Sequence, residues 1–171
     1  MRKWVRFFFL VYVTMMLWLL FDRSGAVKGV PYWQQVQQNI NLKPFHTVGS
    51  YWHILTNRAY YVEKWESASI YFYHARIAFV NLAGNVVMFV PLGCFIPAVW
   101  KKCASLFRCF FCALGMILAV EIFQLLTLLG SCDVDDLILN MAGVVLGYGI
   151  YRLYHPKKHK KNRKNQRRKH R

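Results

Sequence analysis

Four long apolar runs, set apart by polar and charged stretches, give this 171-residue chain its pattern. The first is Phe7 to Phe21, which carries no charge, extends back to Trp4, and is bracketed by Arg2, Lys3 and Arg6 before it and by Asp22 and Arg23 after it. A helix rises about 1.5 Å per residue, so this run needs Trp4 and Val5 to approach the roughly 30 Å hydrocarbon core of a bilayer. Three further runs, Ile77 to Val99, Leu106 to Leu129 and Leu137 to Tyr154, each have about the length of a spanning helix. The pattern predicts an all-α fold: an integral membrane bundle of about four transmembrane helices, with spans near 4–21, 77–99, 106–129 and 137–154. One membrane domain then covers residues 1–154, and a basic tail covers 155–171. A cleaved secretory signal peptide competes for the first run, because Ser24-Gly25-Ala26 supplies the small residues that such a cleavage site requires.

Charge gives the bundle a direction. The chain carries 23 Lys plus Arg against 7 Asp plus Glu, a formal net charge of +16, while 56% of it is hydrophobic and 17% aromatic. That combination excludes a disordered chain, a secreted disulfide scaffold and an ordinary cytosolic enzyme. Four spans put both termini on one side, and the positive-inside bias of Arg2, Lys3, Arg6, Lys101, Lys102 and the tail makes that side cytoplasmic. The connection from Gly130 to Asp136 then faces outward, with three Asp and no Lys or Arg. The tail from His155 to Arg171 holds ten Lys or Arg and no acid. It reads as a disordered topology anchor on anionic headgroups. A nucleic-acid partner is not expected, since no folded nucleic-acid module accompanies the tail.

Between Asp22 and His74 lies a long external segment with eleven aromatic residues, including Trp33, Trp52 and Trp65. Tyr51, Leu55, Val62 and Trp65 recur at helical spacing with Asn57, Arg58 and Lys64 between them, which predicts an amphipathic helix lying in the outer interface.

The polar residues inside the spans carry the chemical information, because an ionised carboxylate at mid-span costs about 2.5 to 3.5 kcal/mol on insertion scales and must face protein or water. Span two carries Asn81 and Asn85 with Gly84 beside them; span three carries Glu121 and Gln124; span four opens with Asp136 and continues with Asn140, Gly143 and Gly147 along one stripe. Counted inward from the predicted outer ends, Asn85 and Glu121 lie about 12 Å deep, Asn81 and Gln124 about 6 to 8 Å, and Asn140 about 5 Å. The inference is a polar cavity opening outward beneath Asp133, Asp135 and Asp136, with Gly84, Gly143 and Gly147 permitting close helix approach. The candidate ligand-binding residues are Asn81, Asn85, Gln124, Asp133, Asp135 and Asn140. In the alternative reading these groups only bond one another and specify packing. A carboxylate as deep as Glu121 needs neutralising, and Arg76 is the nearest cation by depth. Pro91 should kink span two just below the polar layer.

If the protein is an enzyme, Glu121 and Asp136 are its candidate catalytic residues: one buried and one wet carboxylate can divide acid and base roles, with Asp135 or Asp136 positioning a substrate. Neither a cofactor nor a metal is expected. The spacing of Cys109-Phe-Phe-Cys112 is half of a zinc or redox site, but no second pair follows, and the five cysteines read as reduced packing residues. Asp133-Val-Asp135-Asp136 offers hard oxygen ligands without the glycine turn and closing Glu of a calcium loop. Phosphate loops, serine elbows and dinucleotide fingerprints are absent from the sequence.

Taken in order, several short motifs resemble the VanZ-like membrane proteins: Asn41-Leu42-Lys43-Pro44-Phe45; Asn81 with Gly84-Asn85 and Phe89-Val90-Pro91-Leu92-Gly93; Glu121-x-x-Gln124; and Asp133-Val-Asp135-Asp136 through Asn140, Gly143 and Gly147-Tyr148. Where such proteins commonly carry an arginine before the acidic run, Gly130-Ser131-Cys132 stands here. The resemblance implies a bacterial envelope protein of the cell membrane, in a family whose founding member is associated with resistance to teicoplanin, a lipid-tailed glycopeptide. The partners it implies are membrane lipids together with a lipid-linked cell-wall precursor or a lipoglycopeptide. It leaves open whether the protein is a catalyst, and it leaves the oligomeric state open.

Overall fold

A computed structural model describes residues 2–21 and 27–156. The tail beyond Pro156 and the Ser24-Gly25-Ala26 cleavage candidate lie outside the described residues. Seven α-helices are described: α1 (Arg2–Phe21), α2 (Tyr32–Gln38), α3 (His46–Thr56), α4 (Arg58–Lys64), α5 (Ala68–Val99), α6 (Leu106–Thr127) and α7 (Val134–Tyr154). A 3-10 turn, Lys101–Cys103, links α5 to α6. Four of the helices, α1, α5, α6 and α7, are long and apolar enough to cross a membrane, so the fold is an all-α multi-pass membrane bundle.

The boundaries differ from the sequence expectation for identifiable reasons. The second span starts at Ala68 rather than Ile77, because Ser67 caps it: the Ser67 hydroxyl accepts from the Ile70 amide at 3.4 Å. At 32 residues α5 is about 48 Å long, well beyond the hydrocarbon core, so it runs through the polar residues His74 and Arg76 that marked the apolar edge. It continues as one helix through both Pro91 and Pro97. Span three ends at Thr127, two residues early, because Leu128 turns left-handed with φ 55°. Span four starts at Val134 rather than Leu137, because the Asp133 carboxylate caps it by accepting from the Asp135 amide at 2.8 Å. The expected single interfacial helix is two helices, α3 and α4, divided at Asn57.

The bundle is built on α5 and α7, which run parallel and pack closely. A Cβ on Gly143 would strike the Val86 carbonyl, one on Gly147 the Val90 carbonyl, and one on Gly93 the Val144 carbonyl. Small residues at such positions let helix backbones meet where lipid offers no hydrophobic drive between them. Gly84, expected to share this role, meets nothing and faces open space. Phe89, Leu92, Ile96, Ala113, Ile117, Met141 and Val144 fill the core between α5, α6 and α7. Helix α1 lies against one side: Phe9, Tyr12, Met16 and Leu20 turn inward, while Trp4, Phe7, Leu10, Val11 and Trp18 remain exposed, as lipid-facing side chains do.

Two ends can be distinguished. The lysine end carries Lys101 and Lys102. The aspartate end carries Asp133, Asp135 and Asp136, and there a short parallel strand pair forms: β1 (Ile40–Asn41) aligns with β2 (Cys132–Asp133), Ile40 opposite Cys132 and Asn41 opposite Asp133.

Candidate functional site

The acidic run is divided among three tasks. Asp135, fully buried, accepts backbone hydrogen bonds from Phe45 (2.5 Å), Thr47 (2.8 Å) and Val48 (3.0 Å). These amides belong to the N-cap and first turn of α3, whose orphan N–H groups and positive dipole end favour a carboxylate. Phe45 itself is left-handed at φ 61°, a conformation that costs a non-glycine residue about 1 kcal/mol or more and that this contact helps to hold. Asp133 accepts from the Thr47 hydroxyl at 2.6 Å and from the Asn41 amide at 3.1 Å, and Asn41 also donates to the Thr47 hydroxyl at 3.0 Å. Asp133 and Asp135 therefore fasten the segment between α1 and α5 onto the start of α7. Sequence reasoning missed Thr47 altogether; Asn41 entered it only as part of a motif. Their signal was a capping-type hydroxyl and amide in an otherwise apolar, aromatic segment.

Asp136 points elsewhere. It accepts from the Asn85 amide at 2.6 Å, joining the first turn of α7 to α5. Asn81, one turn away, donates to the carbonyl of its own helix at Ile77, 2.9 Å distant. Asn85 thereby meets the first turn of α7. Asn140 lies a turn below Asp136, is buried, and its Oδ1 has no hydrogen-bond partner among the described residues.

Glu121 and Gln124 belong to a third group. Gln124, buried, donates to the Leu20 carbonyl at 2.9 Å and so ties the end of α1 to α6. Glu121 is buried at about 9 Å from the end of α6. Its carboxylate lies near the β2 strand: burial pushes the Cys132 thiol above its ordinary range, and the charges of Glu121 and Asp133 push it further. Arg76 is exposed on α5.

The expected residues thus gather at one end of the bundle, where some of them line a groove and others bond neighbouring segments. Between α1 and α5 lies a groove of about 470 Å³ whose walls include Asn81, Gly84 and Asn85 from α5 and Met15, Met16 and Leu19 from α1. Tyr12 closes its lower part, donating to the Met88 carbonyl at 2.8 Å beside Pro91. Of the predicted ligand-binding residues, only Asn81 and Asn85 reach this groove; Gln124, Asp133, Asp135 and Asn140 do not. Among the described residues no three His, Cys, Asp or Glu side chains are arranged to hold a metal ion.

A family model described as VanZ/LLP1 matches residues 8–155, which takes in most of the first span, the other three, and the fastened segment between the first two. This chain belongs to the VanZ/LLP1 family. A curated relative, Protein VanZ of Enterococcus faecium, is 25% identical over 144 residues, a match that covers 84% of this chain and 70% of the relative. No solved structure matches the chain. The matched range spans the whole acidic run and both Asn41 and Thr47, so the clamp and the groove lie within the VanZ/LLP1 domain of the chain.

Proposed function

We propose that this VanZ-family membrane protein lowers the susceptibility of a bacterial envelope to lipid-tailed glycopeptides such as teicoplanin by binding an amphiphile at the aspartate end. The aspartate end faces outward in this reading and both termini are cytoplasmic, as the Lys and Arg distribution favours. The amphiphile, a lipoglycopeptide or a lipid-linked precursor, lays its alkyl part in the groove between α1 and α5 and its polar part against Asn81, Asn85 and Asp136.

One observation carries the reading: the groove is walled by two membrane-spanning helices, so hydrocarbon is its natural occupant, and its hydrogen-bonding groups Asn81 and Asn85 sit at the end where Asn85 meets Asp136. Ligand sites characteristically combine such apolar walls with a few placed polar groups. The second reading is a membrane-embedded enzyme that modifies a lipid-linked precursor or headgroup, with Glu121 and Asp136 as acid and base. The contrast between a buried Glu121 and a half-exposed Asp136 supports it.

Teicoplanin susceptibility separates the two. A Gram-positive host is tested without the protein, with the parent, and with Gly84→Leu or Glu121→Gln at matched membrane abundance. An added side chain at Gly84 enters open space, so Gly84→Leu fills the groove without striking a neighbouring helix. Binding predicts protection by the parent and by Glu121→Gln but not by Gly84→Leu. Catalysis predicts that Glu121→Gln fails as well. A parent that confers no protection overturns both.

A further inference from the structure

The lysine end holds a second cavity that the proposed function does not use. It measures about 610 Å³ and is lined by Arg6 of α1, by Lys101 and Lys102 of the 3-10 turn, and by the apolar Val99 and Trp100 where α5 ends. Three cations from two separate elements therefore converge on one space, with no acid in its wall. All three are exposed. Three cations facing one space repel one another, an arrangement that an anion between them relieves.

The apolar part of the wall narrows the choice of anion. Trp100 is 40% exposed and packs against Phe9 in an edge-to-face contact with ring centroids 5.3 Å apart, so part of it rests on the bundle and part is open. Tryptophan with one apolar and one wet side is the side chain that favours the headgroup layer. Cys103 and Cys112 complete the wall as small apolar groups. A free phosphate would find the cations but no use for the apolar half. An anionic lipid would use both.

We propose that this cavity binds an anionic glycerophospholipid of the leaflet at the lysine end, its phosphate between Arg6, Lys101 and Lys102 and the upper part of its chains against Val99 and Trp100. Such a lipid would join α1, which packs only along one side of the bundle, to the connection between α5 and α6.

The test uses the full chain purified in a non-ionic detergent, with native mass spectrometry to count retained lipid after addition of phosphatidylglycerol or phosphatidylcholine. The expected result is preferential retention of one phosphatidylglycerol. Each of Arg6→Gln, Lys101→Gln and Lys102→Gln weakens it about fivefold, following the usual contribution of a basic residue near a charged headgroup. Neutralising Lys157, Lys158, Lys160 and Lys161 in the tail leaves that one lipid in place. Inorganic phosphate at matched concentration does not displace it. Equal retention of phosphatidylcholine, displacement by phosphate, or loss with the tail variant but not with the cavity variants would each overturn the proposal. The single variants are read beside their melting temperatures, and since all three side chains are exposed, Lys102→Gln carries the result if Arg6→Gln disturbs α1.

Discussion

At the scale of single residues, the three aspartates of one short run act on three different partners. Asp133 caps its own helix and holds Asn41 and Thr47; Asp135 holds the amides of Phe45, Thr47 and Val48; Asp136 holds Asn85. Hydrogen bonds to a charged acceptor contribute about 1.5 to 3 kcal/mol each and do not add simply. Asp135→Ala should therefore lower stability by at least about 3 kcal/mol, seen as a lower melting temperature in detergent and new proteolytic cuts between residues 40 and 57. Asp135→Asn, which keeps one carbonyl acceptor, should lose less. An unchanged melting curve and cleavage pattern in Asp135→Ala would remove the clamp from the account. The sequence placed a carboxylate at this position but not its partner, because Phe45 and Asp135 are 90 residues apart and nothing in either neighbourhood names the other.

Helix contacts are decided by glycine. Gly143 and Gly147 were legible as a stripe of small residues, and α5 meets them there. Gly84 looked the same in sequence and serves the opposite purpose, opening the groove rather than closing a contact. The two cases cannot be told apart from spacing alone, since the difference lies in which helix faces each glycine. Gly147→Ala should destabilise the bundle by about 1 to 3 kcal/mol, because its Cβ would strike the Val90 carbonyl and force α5 and α7 apart. Gly149→Ala on the same helix, where a Cβ meets nothing, should be neutral or slightly stabilising through helix propensity. Equal melting temperatures for the two variants would refute the close α5–α7 contact.

At the scale of the whole molecule, orientation is the property on which the outward site depends. A cysteine at the exposed position of Lys43, near the aspartate end, should be labelled on intact cells by a membrane-impermeant maleimide, above the background of the parent. A cysteine replacing Lys101 should be labelled only after permeabilisation. The reverse pattern would turn the groove toward the cytoplasm and remove its access to an external glycopeptide.

The class of the protein was readable directly from the chain. Four apolar runs in a strongly cationic sequence can only be buried in lipid, because a helix must satisfy its backbone hydrogen bonds within itself there and its apolar surface has no other partner. The polar residues inside those runs were readable for the same reason, since each is costly in hydrocarbon. How they are grouped was not. One end of the bundle gathers nearly all of them, yet Asp133 and Asp135 face the segment before α5, Gln124 faces α1, and Asn81 and Asn85 face the groove. Depth along a helix follows from residue count, but the direction a side chain faces depends on how each helix is rotated and where its capped end stands. Those follow from contacts between segments far apart in the chain, and only the folded bundle supplies them.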